Sequence, residues 1–307
     1  MRTALSNVLT KSAEADERFV VLSGDHGYAL FDELRRARPE QFVNVGIAEQ
    51  AMVGLAAGMA RAGYLPVIYG LAAFVPMRVA EQIKLDFCFS KTKVIILGDG
   101  AGLVYSTLGA SHQCGEDIAC LRPMPHLRVY APCDAEELKA CYKEALGYDG
   151  PSYLRIGKSD RPPVHVKSLS SASPHLVKKG ARPVCLVSLG SMTAPCVKIA
   201  EDLGLSCLSV PRVKPLDASL LKTLSAFEKL IVVEEHSAAG GLASAILELG
   251  ATGAGPSLPP LFSIALKERF TELCGGYQFA LSEHDLSDEQ LEKRVKAALT
   301  SKTARSA

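Results

Sequence analysis

Short runs of consecutive apolar residues, each set off by a stretch with helical spacing, recur along the whole chain, and this alternation restricts the folds open to it. Phe19-Val20-Val21-Leu22 runs into Ser23-Gly24-Asp25, and further apolar runs lie at 65–69, 93–97, 127–130 and 152–156. A strand apolar at every position has to be covered on both faces, which favours a parallel sheet over an antiparallel one with a wet side. Between the runs, helical spacing is predicted at 3–15, 48–62, 77–87, 114–121 and 135–146. Strands alternating with helices in this way predict a mostly parallel sheet with helices on both faces.

The pattern is interrupted at 157–180, where Ser, Pro and Lys dominate, and then begins again. Strands are expected at 184–189, 206–210 and 230–233, the last ending in Glu234-Glu235-His236. Helices are expected at 193–203, 241–249 and about 288–299, with a loop at 251–260. The expectation is two doubly wound α/β domains, 1–157 and 181–307, joined by a linker at 158–180 part of which could wrap against a domain. With 307 residues and a hydrophobic fraction of 48%, the chain can build two cores.

Lys+Arg 34 against Asp+Glu 33 leaves a net charge of +1, so no nucleic acid or acidic membrane is expected as a partner. The start is mixed in charge and reads as neither a signal peptide nor an anchor. Nine cysteines without a CxxC pair suit reduced, mostly buried thiols and a cytoplasmic location. The seven histidines form no His-x3-His pair, so no metal ligands are expected from spacing. The glycine-rich stretches fit neither a dinucleotide fingerprint nor a phosphate loop, and no Gly-x-Ser-x-Gly elbow is present.

Several polar residues fall where an open α/β sheet collects ligands, beyond the carboxyl ends of its strands. Glu49 follows Val43-Asn44-Val45-Gly46-Ile47-Ala48 and opens a helix of small residues that another subunit could approach closely. By composition alone it equally suits the first turn of any helix. His112, beyond the strand that ends at Gly98-Asp99-Gly100, is either a donor to substrate or a loop histidine bonded to backbone. Asp25, beside His26, is either a site acid or the cap of a turn. Phe74 is either core or a ring that stacks on another flat ring.

The order of segments settles these alternatives by likeness. LSGDHG at 22–27, NVGIAEQ at 44–50, Phe74-x3-Arg78-x3-Gln82, GASHQCGEDIACLR at 109–122, APCDAEE at 131–137, GPSYLRIGK at 150–158 and VVEEHSAAGGLASAI at 232–246 together resemble the C-terminal half of transketolases. The likeness is greatest to the small second subunit of split bacterial enzymes and covers residues 1 to about 300. It implies a pyrimidine-binding domain followed by a transketolase C-terminal domain, with thiamine diphosphate lying across a subunit interface. It also implies a partner, an N-terminal subunit that holds the diphosphate and its Mg2+ or Ca2+, in a heterotetramer of two chains of each kind. The small-residue helix around 51–60 would serve in that assembly.

Carried over by position, Glu49 matches the glutamate that bonds the aminopyrimidine and promotes its imino tautomer. Ile47 matches the apolar residue under the bent cofactor, and Phe74, with Leu71 beside it, matches the aromatic packing on the pyrimidine. Asp25 matches an acid near the cofactor. His112 matches a histidine at the substrate carbonyl or hydroxyl. Arg2, His26 and Lys158 fall at substrate-side positions, Lys158 standing where relatives have an arginine.

Other positions depart from the family. Leu108 replaces an Asp that binds a sugar hydroxyl, Gly100 a His that contacts phosphate, and Ala29 a Ser. The expected activity is transfer of a two-carbon ketol unit between small molecules with a non-standard substrate. The alternatives are a thiamine-dependent enzyme that decarboxylates 2-oxoacids, of deoxyxylulose-phosphate-synthase or 2-oxoacid dehydrogenase type, and a non-catalytic scaffold.

Overall fold

The computed structural model describes residues 1–158 and 160–301. Ser159, inside the expected linker, and residues 302–307, at the end of the expected second domain, lie outside the described residues.

The first half runs α1 (Arg2–Ala15), β1 (Phe19–Ser23), α2 (Asp32–Ala37), β2 (Phe42–Asn44), α3 (Glu49–Arg61), β3 (Leu65–Leu71), α4 (Val75–Arg78) and α5 (Ala80–Gln82). It continues with β4 (Val94–Asp99), α6 (Asp117–Leu121), β5 (Arg128–Tyr130), α7 (Ala135–Leu146) and β6 (Pro151–Ile156). The second half follows as β7 (His175–Lys178), β8 (Val184–Ser188), α8 (Thr193–Leu203), β9 (Ser206–Ser209), β10 (Arg212–Lys214) and α9 (Ser219–Leu224). It closes with β11 (Lys229–Ser237), α10 (Leu242–Ala251), β12 (Leu261–Leu266), α11 (Tyr277–Glu283) and α12 (Asp288–Thr300).

Two sheets result, β10-β5-β6-β4-β3-β1-β2 and β12-β11-β8-β9-β7. Both are parallel except at one edge, where β10 and β7 run antiparallel to their neighbours. β1 shows why the strands read as unbroken apolar runs. Val20 and Leu22 pack into one core and Phe19 and Val21 into another, since alternate side chains face opposite sides of the sheet. The first of these cores continues through Ile118 and Leu127 to Val187, Leu208 and Val232 of the second sheet, so the halves share it. Among the described residues, no helix is long and apolar enough to cross a membrane.

The helix expected at 77–87 is broken. α4 ends at Arg78, Val79 leaves helical geometry at φ −122° and ψ 22°, and a widened turn from Ile83–Phe89 follows α5. Apolar spacing reports which residues are buried, and Val79, Ile83 and Phe87 are buried; it does not report which hydrogen-bonded ring closes between them. The helix expected at 114–121 starts three residues late, because the Cys114 backbone pairs with Gly102 in an isolated bridge. The strand expected to end at Val233 continues to Ser237, enclosing Glu234, Glu235 and His236 completely. Within the Ser- and Pro-rich segment, His175–Lys178 forms an edge strand on β9, where a strand needs only one neighbour and tolerates polar residues.

Candidate functional site

α3 starts directly behind the carboxyl end of β2, and its first residue is Glu49. Buried positions Glu49, Met52, Val53, Ala56 and Ala57 share one face of this helix, so the carboxylate is drawn inward with the apolar stripe. Gly24 borders it: a Cβ there would lie at ordinary contact distance, 3.6 Å from the Gly46 carbonyl and 4.0 Å from Glu49 Cγ. Glu49 is only 3% exposed. Arg78 Nη1 donates to its Oε2 at 2.8 Å, while Oε1 is buried with no hydrogen-bond partner among the described residues. An acid that only favoured a helix start would sit in solvent; a buried carboxylate oxygen left unpaired costs its full desolvation.

Arg78, the last residue of α4, meets both Glu49 and Phe74, whose ring centroid lies 4.2 Å from the guanidinium carbon. Phe74 in turn meets His112 edge-on, with ring centroids 5.2 Å apart. The Phe74 amide donates to the Leu71 carbonyl at 2.9 Å, turning the chain away from β3. His112 is half-buried, and its Nδ1 pairs with Ser111 Oγ at 2.9 Å. Glu49, Leu71, Phe74 and His112 thus form one continuous group through Arg78. Ile47, three-quarters exposed although strongly apolar, stands two residues ahead of Glu49.

Asp25 occupies the left-handed region at φ 60° and is held there by Asn44, whose Nδ2 donates to Asp25 Oδ1 at 2.9 Å. The Asn44 side-chain oxygen accepts from the amides of Asp25 and Gly46, linking the β1 and β2 loops. His26 lines a cavity with Asp25, Phe31, Arg35 and Asn44 that Glu49, Phe74 and His112 do not line. Arg2 donates to the Tyr28 carbonyl. Lys158 pairs with Asp160 at 3.4 Å and lies 5.9 Å from the Tyr277 ring, on the side of the second domain. The structure therefore links Glu49 to Phe74 through Arg78, Phe74 to His112 by ring contact and Phe74 to Leu71 by a backbone hydrogen bond, while Arg2, His26 and Lys158 make contacts with Tyr28, Ser23, and Asp160 and Tyr277 respectively.

Arg78 and Asn44 are the residues that composition and spacing did not single out as functional. Arg78 belongs to the Phe74-x3-Arg78 run, and one turn of helix between them is the signal that could have found it. At Gly100, φ 72°, an added Cβ would collide with the ring of Tyr105, whose hydroxyl donates to Asp99 Oδ2 at 2.8 Å.

The transketolase pyrimidine-binding domain model matches residues 1–163, and the transketolase C-terminal domain model matches 175–257. The chain belongs to the transketolase family, whose members are thiamine diphosphate-dependent transferases. Relatives include an apulose-4-phosphate transketolase subunit of Actinobacillus succinogenes, 32% identical over 79% of this chain and 78% of that protein. The 6-deoxy-6-sulfo-D-fructose transketolase subunit SqwH of Clostridium sp. (strain MSTE9) is 30% identical over 89% of this chain and 86% of that one. A solved split-gene transketolase, described as an inactive beta4 tetramer, superposes with a TM-score of 0.86 at 31% identity, covering 97% of this chain and 98% of the other.

Proposed function

We propose that this chain is the pyrimidine-binding subunit of a split transketolase-type enzyme that moves a two-carbon ketol unit from a ketose-type donor to an aldehyde acceptor. The observation that carries the reading is Glu49, buried, fixed on one oxygen by Arg78 and unpaired on the other. That unpaired oxygen suits thiamine diphosphate, which when bound supplies the nucleophilic carbon and the electron sink for the transfer. Glu49 Oε1 would accept a charge-assisted hydrogen bond from the pyrimidine of that cofactor, and Arg78, bonded to Oε2, would hold the carboxylate in place for it. Phe74 and Leu71 would pack on the pyrimidine, Ile47 would offer it an apolar support, and Asp25, held by Asn44, would stand near it. His112, with Nδ1 engaged by Ser111, presents Nε2 to hold or deliver a proton at the substrate oxygen. Arg2, His26 and Lys158 border the substrate, the two cations facing its anionic end.

The diphosphate and its Mg2+ or Ca2+ belong to a partner subunit in an α2β2 assembly in the cytoplasm. The donor is less hydroxylated than a pentose phosphate, or carries its anion elsewhere. Leu108, an exposed apolar residue, stands where a hydroxyl-binding Asp would be, and Tyr105 fills the space beside Gly100 where a His would be. A site without those groups forfeits several kcal/mol toward a substrate that needs them.

The test is reconstitution with the diphosphate-binding subunit, followed by product analysis over ketose and 2-oxoacid donors. Ketol transfer that falls on the order of 100-fold or more in Glu49→Gln is expected, the range for a lost proton-transfer group. Carbon dioxide release from pyruvate would assign decarboxylation instead, and wild-type turnover that Glu49→Gln leaves intact would remove Glu49 from the mechanism. Efficient use of xylulose 5-phosphate would overturn the proposed specificity.

A further inference from the structure

A second polar cluster lies where the first domain, the connecting segment and the second sheet meet. Cys133, Glu137 and His165 bring a thiol sulfur, a carboxylate oxygen and an imidazole nitrogen within 4.8 Å of one another. Cys133 precedes Asp134, the N-cap of α7; Glu137 lies in the first turn of that helix; His165 comes from the connecting segment. No residue assigned to thiamine diphosphate belongs to the cluster.

Its geometry lacks something between the groups. Glu137 is fully buried; its Oε2 accepts from the Cys133 amide at 2.8 Å, and its Oε1 has no partner within hydrogen-bond geometry among the described residues. The His165 ring is fixed by Asp134, with Nδ1 3.0 Å from Asp134 Oδ2. The same oxygen accepts from the amides of Val164 and His165, so neither carboxylate nor ring is free to turn. With the proton on Nδ1, Nε2 offers a lone pair toward Glu137 Oε1, 3.9 Å away, and it too has no partner. That separation is too long for a hydrogen bond. Two buried lone pairs facing each other call for a positive charge between them, which a proton or a metal ion supplies. His175, whose ring lies 5.6 Å from that of His165, carries a buried Nε2 without a partner among the described residues, and the Ser209 hydroxyl lies beside the Glu137 carboxyl.

We propose that Cys133 Sγ, Glu137 Oε1 and His165 Nε2 bind one zinc ion that ties the connecting segment to the first domain beside the second sheet. Bond lengths of about 2.0–2.3 Å at tetrahedral angles put zinc ligands about 3.3–3.7 Å apart, so the three groups, within 4.8 Å of one another, must close by up to about 1 Å around the ion. A sulfur, a nitrogen and an oxygen suit a borderline-soft ion, whereas Mg2+ and Ca2+ select oxygen alone. Asp134 supplies the outer hydrogen bond that orients a metal-bound histidine, leaving Nε2 as the ligand. The side chain of His165 keeps a tenth of its surface open, which gives the ion a way in and water a fourth position. Spacing along the chain could not show this site, because His165 follows Glu137 by 28 residues and only the fold returns it.

The test uses the full chain, without an affinity tag, stripped with a chelator and titrated with Co2+. One equivalent is expected to give the visible bands of tetrahedral cobalt and a near-ultraviolet thiolate-to-cobalt band, all displaced by Zn2+. Zinc should also raise the melting temperature of the wild-type chain. Cys133→Ser should lose the thiolate band and His165→Ala the stoichiometric uptake, while Cys274→Ser, at an exposed thiol, keeps both. Asp134→Asn retains a helix cap and should weaken binding about 10–100-fold. Absence of stoichiometric uptake by the wild type overturns the proposal whatever the variants do, as does a thiolate band that survives Cys133→Ser.

Discussion

Glu49 shows how one residue acquires a role from its surroundings. A glutamate at the first turn of a helix is ordinary in sequence; burial, Arg78 on one oxygen and nothing on the other make it a binding group. His236 is the reverse case, a strand-end histidine that the fold encloses. Its Nδ1 donates to the Ser237 carbonyl at 2.7 Å, and burial pushes its pKa down to about 4, outweighing Asp117, 3.8 Å away. Arg155 opposes protonation as well. Unfolded, this histidine takes up a proton near pH 6.5; folded, only near 4, so the unfolded chain holds more protons in between and stability falls as pH falls. The His236 contribution is expected to cost about 2 kcal/mol between pH 7 and pH 5. Glu234, pushed up to about 7 by burial, works in the opposite sense over an overlapping range. Comparing urea unfolding of wild type and His236→Gln at both pH values isolates the histidine: an equal change in the two proteins would refute the assignment. The sequence displayed both acids and the histidine, yet placed them beyond the strand, because three polar residues in a row do not announce a buried strand.

Among elements, α3 carries the most meaning. One face, from Glu49 to Ala57, packs on the first core; the other exposes Gly54, Leu55 and Gly58. An added Cβ at Gly54 or Gly58 would meet nothing within 4 Å, so neither glycine is required by this chain's own packing. A helix interior with two unneeded glycines forgoes about 1 kcal/mol at each relative to a good helix former. We expect Gly54→Glu to raise the stability of the isolated chain by about 0.5–1 kcal/mol, seen as a higher melting temperature. The same change should weaken assembly with the partner or with a second copy on the order of tenfold or more by analytical ultracentrifugation. Greater stability with unchanged assembly would free this face from the interface. The extent of α3 was legible from its spacing; the breaks in the helix expected at 77–87 were not, since apolar spacing tolerates several hydrogen-bond patterns. Arg78, the last residue of α4 before that break, is the one that bonds Glu49.

At the scale of the molecule, the two halves are held by more than a shared apolar core. Arg155 of β6 is almost fully buried; its Nε donates to Asp117 at 2.9 Å and its Nη2 to the Glu235 carbonyl of β11 at 2.9 Å. The Glu235 side chain crosses back, accepting from the Leu103 amide at 2.6 Å and from the Tyr277 hydroxyl at 2.6 Å. Arg155→Met leaves Asp117 buried without its cation and is expected to destabilise the fold by about 3–5 kcal/mol. Its denaturant unfolding should separate into two transitions as the halves uncouple; a single transition at an unchanged midpoint would show that the apolar core alone joins them. Adding Asp117→Leu should recover part of the loss, since it removes the stranded charge.

The sequence by itself pointed to the two α/β halves, because short runs apolar at every position, alternating with helical spacing, favour strands covered on both faces, and the recurring alternation leaves few other arrangements. Through its ordered motifs it also pointed to the family and to Glu49, Phe74 and His112. The tertiary structure alone decided which of Glu49's oxygens is left unpaired, that β10 crosses into the first sheet, and that His165 returns to Cys133 and Glu137. Those outcomes depend on contacts between residues distant in the chain. Local spacing records which face of an element is buried but not what it will meet there.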